Sequence, residues 1–248
     1  MKNQSTPERK SDPVQTAKSA ALELKKFSNS FNAEAKNRFF KTQKGQYGAG
    51  DVFWGVAVPA TRTLAKQFAD LELSECLKLL KSKIHEQRLL ALFILIHQFK
   101  RAEPLKQKKI YSLYMQNLRY VNNWDLVDAS AHLIAGAYLE NQSRAVLYKL
   151  ARSKGLWDKR VAILSTFHFI RRNEFTDTLK ISKILLADEH DLIHKAVGWM
   201  LREVGNRDKR AEEAFLKQHY KKMPRTMLRY AIEKFPIAQR QKYLAGLM

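Results

Sequence analysis

An internal sulfur cross-link is ruled out by scarcity, since Cys76 is the one cysteine in 248 residues. No intrachain disulfide can form and no zinc site can be built from cysteines. Cys76 itself reads as a small buried apolar residue on a helix. Glycine is sparse at nine residues, and no segment alternates apolar and polar positions between hairpin turns, which excludes a β architecture. No apolar run approaches the roughly 18 residues of a membrane span. The start, Met1-Lys2-Asn3-Gln4-Ser5, lacks the apolar stretch of a signal peptide, so a cytoplasmic location is expected. Acidic residues are the last scarcity: 24 Asp and Glu stand against 45 Lys and Arg, a net charge of +21 with a pI near 10.0. That bias exceeds what solubility requires, so a polyanion is the expected partner, nucleic acid before an anionic membrane surface. The basic residues are spread along the chain rather than gathered on one amphipathic helix, which disfavours the membrane.

What is present is helix. Residues 1–13 mix Lys, Glu, Ser and Asp without apolar spacing and are expected to be a disordered tail, with residues 14–248 forming one domain. Apolar residues at three and four spacing, as in Ala17, Ala20, Ala21, Leu24 and Phe27, predict helices over about 14–29 and 33–41. The segment Gly45-Gln46-Tyr47-Gly48-Ala49-Gly50-Asp51 holds three of the nine glycines. It lacks the Gly-Lys-Ser/Thr that opens a phosphate-binding helix, so a tight loop is predicted, leading to a helix with Pro59 in its first turn and no nucleotide cofactor. Beyond Pro59 the helices are predicted to fall in pairs, among them Trp124–Leu139 as a second member, Arg144–Ser153 with Asp158–Arg171, and last Ala211–Lys222 with Arg225–Phe235; Glu86–Ile96, apolar nearly all round, is predicted to be central and buried.

The pairs repeat. Aligned on small and aliphatic residues, the second helices begin Arg88-Leu89-Leu90-Ala91, Asp128-Ala129-Ser130-Ala131, Arg160-Val161-Ala162-Ile163, Lys195-Ala196-Val197-Gly198 and Arg229-Tyr230-Ala231-Ile232. Lead positions about 32 to 40 residues apart match the period of helical solenoids. The fold class is therefore all-α, a right-handed superhelical solenoid of HEAT-like pairs whose inner face, lined by the second helices, is a binding surface. Four of the five lead residues are cations, suited to successive phosphates, and the fifth is Asp128. A carboxylate there repels a polyanion unless it pairs with Arg160 or faces a cation that develops during a reaction. Asp125 and Asp128 also sit in the first turns of a helix that Asn122 or Asn123 can cap, a purely structural use. Trp124 lies one turn before Asp128, and Trp199 one turn after Lys195; two indoles beside a carboxylate can hold a sugar or base, or anchor stacked helices. Trp54 and Trp157 read as core or boundary residues.

Asn123-Trp124-Asp125-Leu126-Val127-Asp128, Trp157-Asp158-Lys159-Arg160-Val161-Ala162-Ile163-Leu164 and Lys195-Ala196-Val197-Gly198-Trp199-Met200-Leu201-Arg202-Glu203 together resemble the AlkD-type DNA alkylation repair glycosylases. The resemblance runs from about Ala35 to Phe235. It implies excision of cationic N3- and N7-alkylated purines from duplex DNA without base flipping, with no metal or other cofactor, by a nucleoid-associated protein expected to be a monomer. Carried over by position, the catalytic aspartate falls on Asp128 and the sugar-contacting tryptophans on Trp124 and Trp199. A DNA-contacting arginine falls on Arg160, and the N-terminal aromatic contact on Phe39. With the basic row, Arg160, Lys195, Arg88, Arg229 and Lys159 form the expected DNA-binding set. Asp191 and Leu192 stand where a family member carries two aromatic residues, and Gly45–Asp51 reads as an insertion. The pair His190 and His194 has zinc-helix spacing, but Asp191 follows the first histidine where glutamate is needed and no third ligand is evident, so no metal is expected. The alternative class is a non-catalytic HEAT-like module that binds DNA or RNA by shape and charge.

Overall fold

Apolar stripes at helical spacing cannot be buried by one helix alone, and the chain resolves this by stacking helix on helix. A computed structural model describes residues 15–248; the tail expected over 1–13 lies outside the described residues. In order the helices are α1 (Ala17–Lys25), α2 (Ser30–Phe39), α3 (Val58–Gln67), α4 (Leu73–Leu80), α5 (His85–Arg101), α6 (Pro104–Gln116), α7 (Trp124–Ala131), α8 (Ala145–Ala151), α9 (Leu156–Ser165), α10 (Phe167–Ile170), α11 (Thr176–Ile184), α12 (Asp191–Gly205), α13 (Lys209–His219), α14 (Arg225–Ala231) and α15 (Ile237–Ala245). Among the described residues there is no β-strand, only a single bridge between Val52 and Ile84.

Helices α4 and α5, α8 and α9, and α11 and α12 pack as pairs. The second members then stack in sequence, α5 on α7, α7 on α9, α9 on α12 and α12 on α14. This is the solenoid that the 32-to-40-residue period called for. One hydrophobic core runs through it from Ala20 to Tyr243. In α5, Leu89 through Ile96 are all buried, each leucine, isoleucine and phenylalanine among them stabilising the fold by about 1.5–3 kcal/mol through removal from water. Cys76 is buried on α4, its thiol pushed up to about 12 by burial.

Three features differ from the periodicity. The helix predicted from Trp124 to Leu139 leaves the α-helical path at a π-helical turn, His132–Gly136. There Gly136 lies against the Ser165 carbonyl so closely that a β-carbon would come within 2.3 Å of it. The helix predicted to run to Arg171 breaks at Thr166 between α9 and α10. A further C-terminal helix, α15, follows the last predicted pair and closes on Gly246 in the left-handed region.

Between α2 and α3 the chain is anchored by one buried carboxylate rather than by strands. Glu86 on α5 accepts the backbone N–H groups of Trp54, Gly55 and Val56 at 3.0, 3.0 and 3.2 Å, and the Lys36 ammonium at 3.1 Å. The loop then enters α3 with Pro59 in its first turn, as its sequence predicts.

At the junction of α12 and α14 a β-carbon on Gly198 would lie 2.4 Å from the Met227 carbonyl oxygen and 2.5 Å from the Tyr230 β-carbon. Alanine gains about 1 kcal/mol over glycine in a free helix, whereas overpacking costs about 1–3 kcal/mol, and here the obstacle is backbone. Gly198→Ala is therefore expected to lower unfolding stability by about 1–2 kcal/mol. Urea titration measures it, and an unchanged or raised midpoint would refute the close approach.

Candidate functional site

The stacked second helices bring their N-terminal ends to one cleft. Its walls carry Phe39 from α2, Lys41 and Tyr47 from the following loop, Trp124 and Asp128 from α7, Arg160 from α9, and residues of α12 and α14 including Asp191, Lys195, Trp199, Arg202 and Tyr230. The cleft encloses about 550 Å³ and its accessible lining is mostly apolar.

Asp128 lies in this cleft with its carboxylate gripped by one guanidinium: Arg160 Nε and Nη2 donate to Oδ1 and Oδ2 at 2.8 and 2.7 Å. Arg160 Nη1 donates to the Leu192 carbonyl at 2.5 Å, so the fork also ties α9 to the start of α12. The geometry is bidentate and charge-assisted, the strongest class of side-chain hydrogen bond. Burial pushes the Asp128 carboxyl above its ordinary range; Arg160 opposes this and Asp125 adds to it.

Trp124 is set by an aromatic ladder. Its indole stacks on Phe40 at 5.1 Å, Phe40 stacks on Phe53 at 4.9 Å, and Phe53 stacks on His85 at 4.4 Å. Phe39, 65% exposed, meets the edge of Trp124 at 5.7 Å. Trp199 is held by its own Nε1, which donates to Glu203 at 3.0 Å, and faces Phe167 at 6.0 Å. Trp54 and Trp157 are half-buried at the core margin, Trp157 against Tyr47.

Beneath α7 lies a charged network with few signs in the sequence. Asp51, at the end of the glycine-rich loop, accepts from Arg88 at 2.6 Å, from the His85 imidazole at 3.0 Å and from the Asn123 amide at 3.0 Å. The other His85 nitrogen meets Asp125 at 2.8 Å. Asn123 in turn caps α7, its side-chain oxygen accepting from the Trp124 N–H at 2.8 Å. Thus the loop, α5 and the first turn of α7 are joined through side chains that are almost all buried. Each imidazole nitrogen faces a carboxylate, which suits the doubly protonated ring. Burial alone would pull the His85 pKa down, yet hydrogen bonds to Asp125 and Asp51 hold it above its ordinary value. For Asp51, burial raises the pKa, but His85, Arg88 and Asn123 together hold it below the usual carboxylate range.

This geometry revises the basic row. Arg88, expected to meet DNA, is only 4% exposed and is occupied by Asp51 and the Ser82 carbonyl, so it supports the scaffold and cannot reach a ligand. Lys159, expected beside it, gives its ammonium to Asp188 at 2.5 Å and is likewise spent on the protein. Arg160 is 5% exposed, lines the cleft and is paired with Asp128, one of the two readings its sequence left open. Lys195 does line the cleft, bridged to Asp191 at 2.7 Å. Arg229 is exposed on α14 and has no acidic partner among the described residues. Asp128 therefore does not interrupt a row of free cations; three of the four cations each have an aspartate of their own. His190 and His194 are spent locally, one capping α12 through the Leu192 N–H and the other meeting the Asp188 carbonyl. Among the described residues no cluster of His, Cys, Asp and Glu is arranged to hold a metal, and no helix is long and apolar enough to cross a membrane. Lys41, Tyr47, Arg202 and Tyr230 were not singled out as site residues. Tyr47 had a signal, since it stands in the glycine-rich segment, but nothing local indicates where that loop folds.

A family model described as DNA alkylation repair enzyme matches residues 20–235. Among solved structures the chain is similar to a protein described as a predicted DNA alkylation repair enzyme from Enterococcus faecalis. The TM-score is 0.67 at 16% sequence identity, covering 91% of this chain and 100% of that one, a likeness of fold. No curated protein matches the sequence.

The two titrating groups under α7 define a pH window. With its pKa raised, His85 contributes stability that is full below its ordinary 6.5 and is lost as pH rises through the folded value. With its pKa lowered, Asp51 contributes stability present above its ordinary 3.8 and lost as pH falls through its folded value. Wild type should exceed His85→Gln in stability most at about pH 5–6, the gap narrowing at higher pH. Denaturant titrations across pH measure this; a gap that widens with alkalinity would contradict the double-carboxylate assignment.

Proposed function

The chain belongs to the DNA alkylation repair enzyme family, and from that premise we propose that it is a DNA glycosylase acting on cationic N3- and N7-alkylated purines in duplex DNA. The supporting observation is Asp128, a single carboxylate in a largely apolar cleft, held in one orientation by Arg160 and accompanied in the lining by Trp124 and Trp199.

Alkylation at N3 or N7 gives the purine a positive charge, so the base needs no general acid to depart. The electron pair of the C1′–N bond goes to the base, which leaves neutral, and the positive charge moves to the deoxyribose as an oxocarbenium. A fixed carboxylate beside that sugar stabilises the developing charge, and most effectively where water is scarce. Water then adds to C1′ and loses a proton, for which Asp128 is the acceptor, leaving free base and an abasic site. The indole faces of Trp124 and Trp199, with Phe39 at the rim, suit an apolar sugar face and attract its positive charge. The base can stay in the stack, because every group in this scheme addresses the sugar. Arg160 acts through Asp128 and is a positioning residue; of the row's cations, Arg229, which has no acidic partner among the described residues, is the one proposed to meet a phosphate. The salt bridge itself favours the rival reading, a non-catalytic binding module, since a carboxylate can be retained solely to neutralise a buried guanidinium.

Release of 3-methyladenine or 7-methylguanine from methylated duplex DNA decides between the two. Asp128→Asn is expected to lower single-turnover release by about a hundredfold or more while duplex binding is retained or tightened. Wild type that binds DNA and frees no base would sink the catalytic assignment. Activity needs the carboxylate, so it should fall as acid protonates Asp128, and Arg160→Gln, by removing the main opposing influence on that pKa, should move the acid limb of the rate profile to higher pH. An acid limb that stays in place would separate Arg160 from the ionisation of Asp128.

A further inference from the structure

A second cleft opens one turn beyond Asp128 along the same helix path. It encloses about 520 Å³ and is lined by Phe99 and Lys100 at the end of α5, Gln107 on α6, His132, Leu133 and Ala137 around the π-helical turn, and His168, Arg171 and Arg172 at and just after α10. Among its ionisable lining residues none is acidic. Lys100 and Arg171 are exposed and have no acidic partner among the described residues. Arg172 and His168 share Glu140, which stands behind them.

Helix geometry points two ways here. The C-terminal ends of α5 and α10 present carbonyls and the negative end of the helix dipole, which by themselves repel an anion. The three basic side chains project from those same ends and overcompensate this charge, so their density exceeds what capping the helices requires. Arg171 lies over the Phe167 ring at 5.9 Å, and that ring also touches His132 at 5.3 Å and Trp199 at 6.0 Å. Phe167 thus joins Trp199, which lines the Asp128 cleft, to His132 and Arg171, which line the basic cleft. From Asp128 to His132 is four residues, about 6 Å of helix rise, so the two clefts are lined by consecutive turns of one helix path.

We infer that this cleft is a phosphodiester-binding subsite, which takes a backbone phosphate of the duplex whose sugar occupies the Asp128 cleft. Lys100 and Arg171 supply the charge, and Gln107, His132 and His168 line the remaining wall. His132 has a buried Nδ1 with no partner in the protein. Its ring is pushed down to about 4 by burial and by Arg171, and burial and Arg172 oppose protonation of His168 as well. Glu140 beside His168 pulls the other way, and a bound phosphate, by offsetting Arg171 and Arg172, should favour the protonated forms of both rings. The inference rests on the proposed reading only in taking duplex DNA as the polyanion; it does not need excision to occur.

The test uses the full chain and undamaged duplex oligonucleotide, so failure of base release leaves it readable. Lys100→Ala/Arg171→Ala should flatten the dependence of log binding constant on log salt by about one unit, the loss of one phosphate contact. Lys100→Arg/Arg171→Lys should keep the wild-type slope. Imidazole NMR signals of His132 and His168 should move when duplex is added. An unchanged slope in the alanine double variant overturns the subsite, and so do imidazole signals that respond to inorganic phosphate but not to duplex, which would make it a site for free phosphate.

Discussion

A guanidinium that spends its donors on one carboxylate holds the candidate site together. Arg160 comes from α9, Asp128 from α7 and the Leu192 carbonyl from the start of α12, so three successive repeats are locked by a single fork. Both charges are largely removed from water, which makes their attraction strong and makes loss of either partner costly, because the survivor would be a buried charge without a partner. The same pairing orients the carboxylate toward the cleft. An aspartate free to rotate would lose rotamer freedom on meeting a transition state; one already held has lost it on folding.

The support beneath this pair is built on the same plan. Asp51, Arg88, His85 and Asp125 form one hydrogen-bonded set in which two carboxylates face a guanidinium and an imidazole, with Asn123 joining Asp51 to the first turn of α7. Stacked on His85, the ladder of Phe53 and Phe40 carries the order outward to Trp124. The glycine-rich loop thus has two duties. Its last residue anchors the network, and Tyr47 within it reaches the cleft wall. What resembles an insertion in the sequence is a structural part of the site.

Charge is distributed over this surface in an orderly way. Cations of the second helices near the Asp128 cleft are mostly matched by aspartates, as in Arg88 with Asp51 and Lys195 with Asp191. Arg229, Lys100 and Arg171 have no acidic partner among the described residues, and neither has Lys41 in the cleft wall. A net charge of +21 therefore does not act as a uniform coat. A field of that sign attracts polyanions at long range, while Arg160 and Lys195 beside the Asp128 cleft are each paired with an aspartate.

The all-helical class, the pairing of helices, the burial of Glu86–Ile96 and the cap at Asn123 follow from spacing, because apolar periodicity and capping chemistry act over one or two turns. So did the candidacy of Trp124, Asp128 and Trp199, which rests on residue type within long local patterns. Arg88 shows where such reasoning stops: in the repeat alignment it matches Arg160 and Arg229, yet it is buried against Asp51, 37 positions away. The break at Thr166, the π-helical turn and α15 also depend on packing against distant segments. Sequence alone determined a basic helical solenoid bearing a carboxylate between indoles. Only the tertiary structure decided which cations are free, because a charge is made available or spent by what folds against it, and those partners come from other repeats.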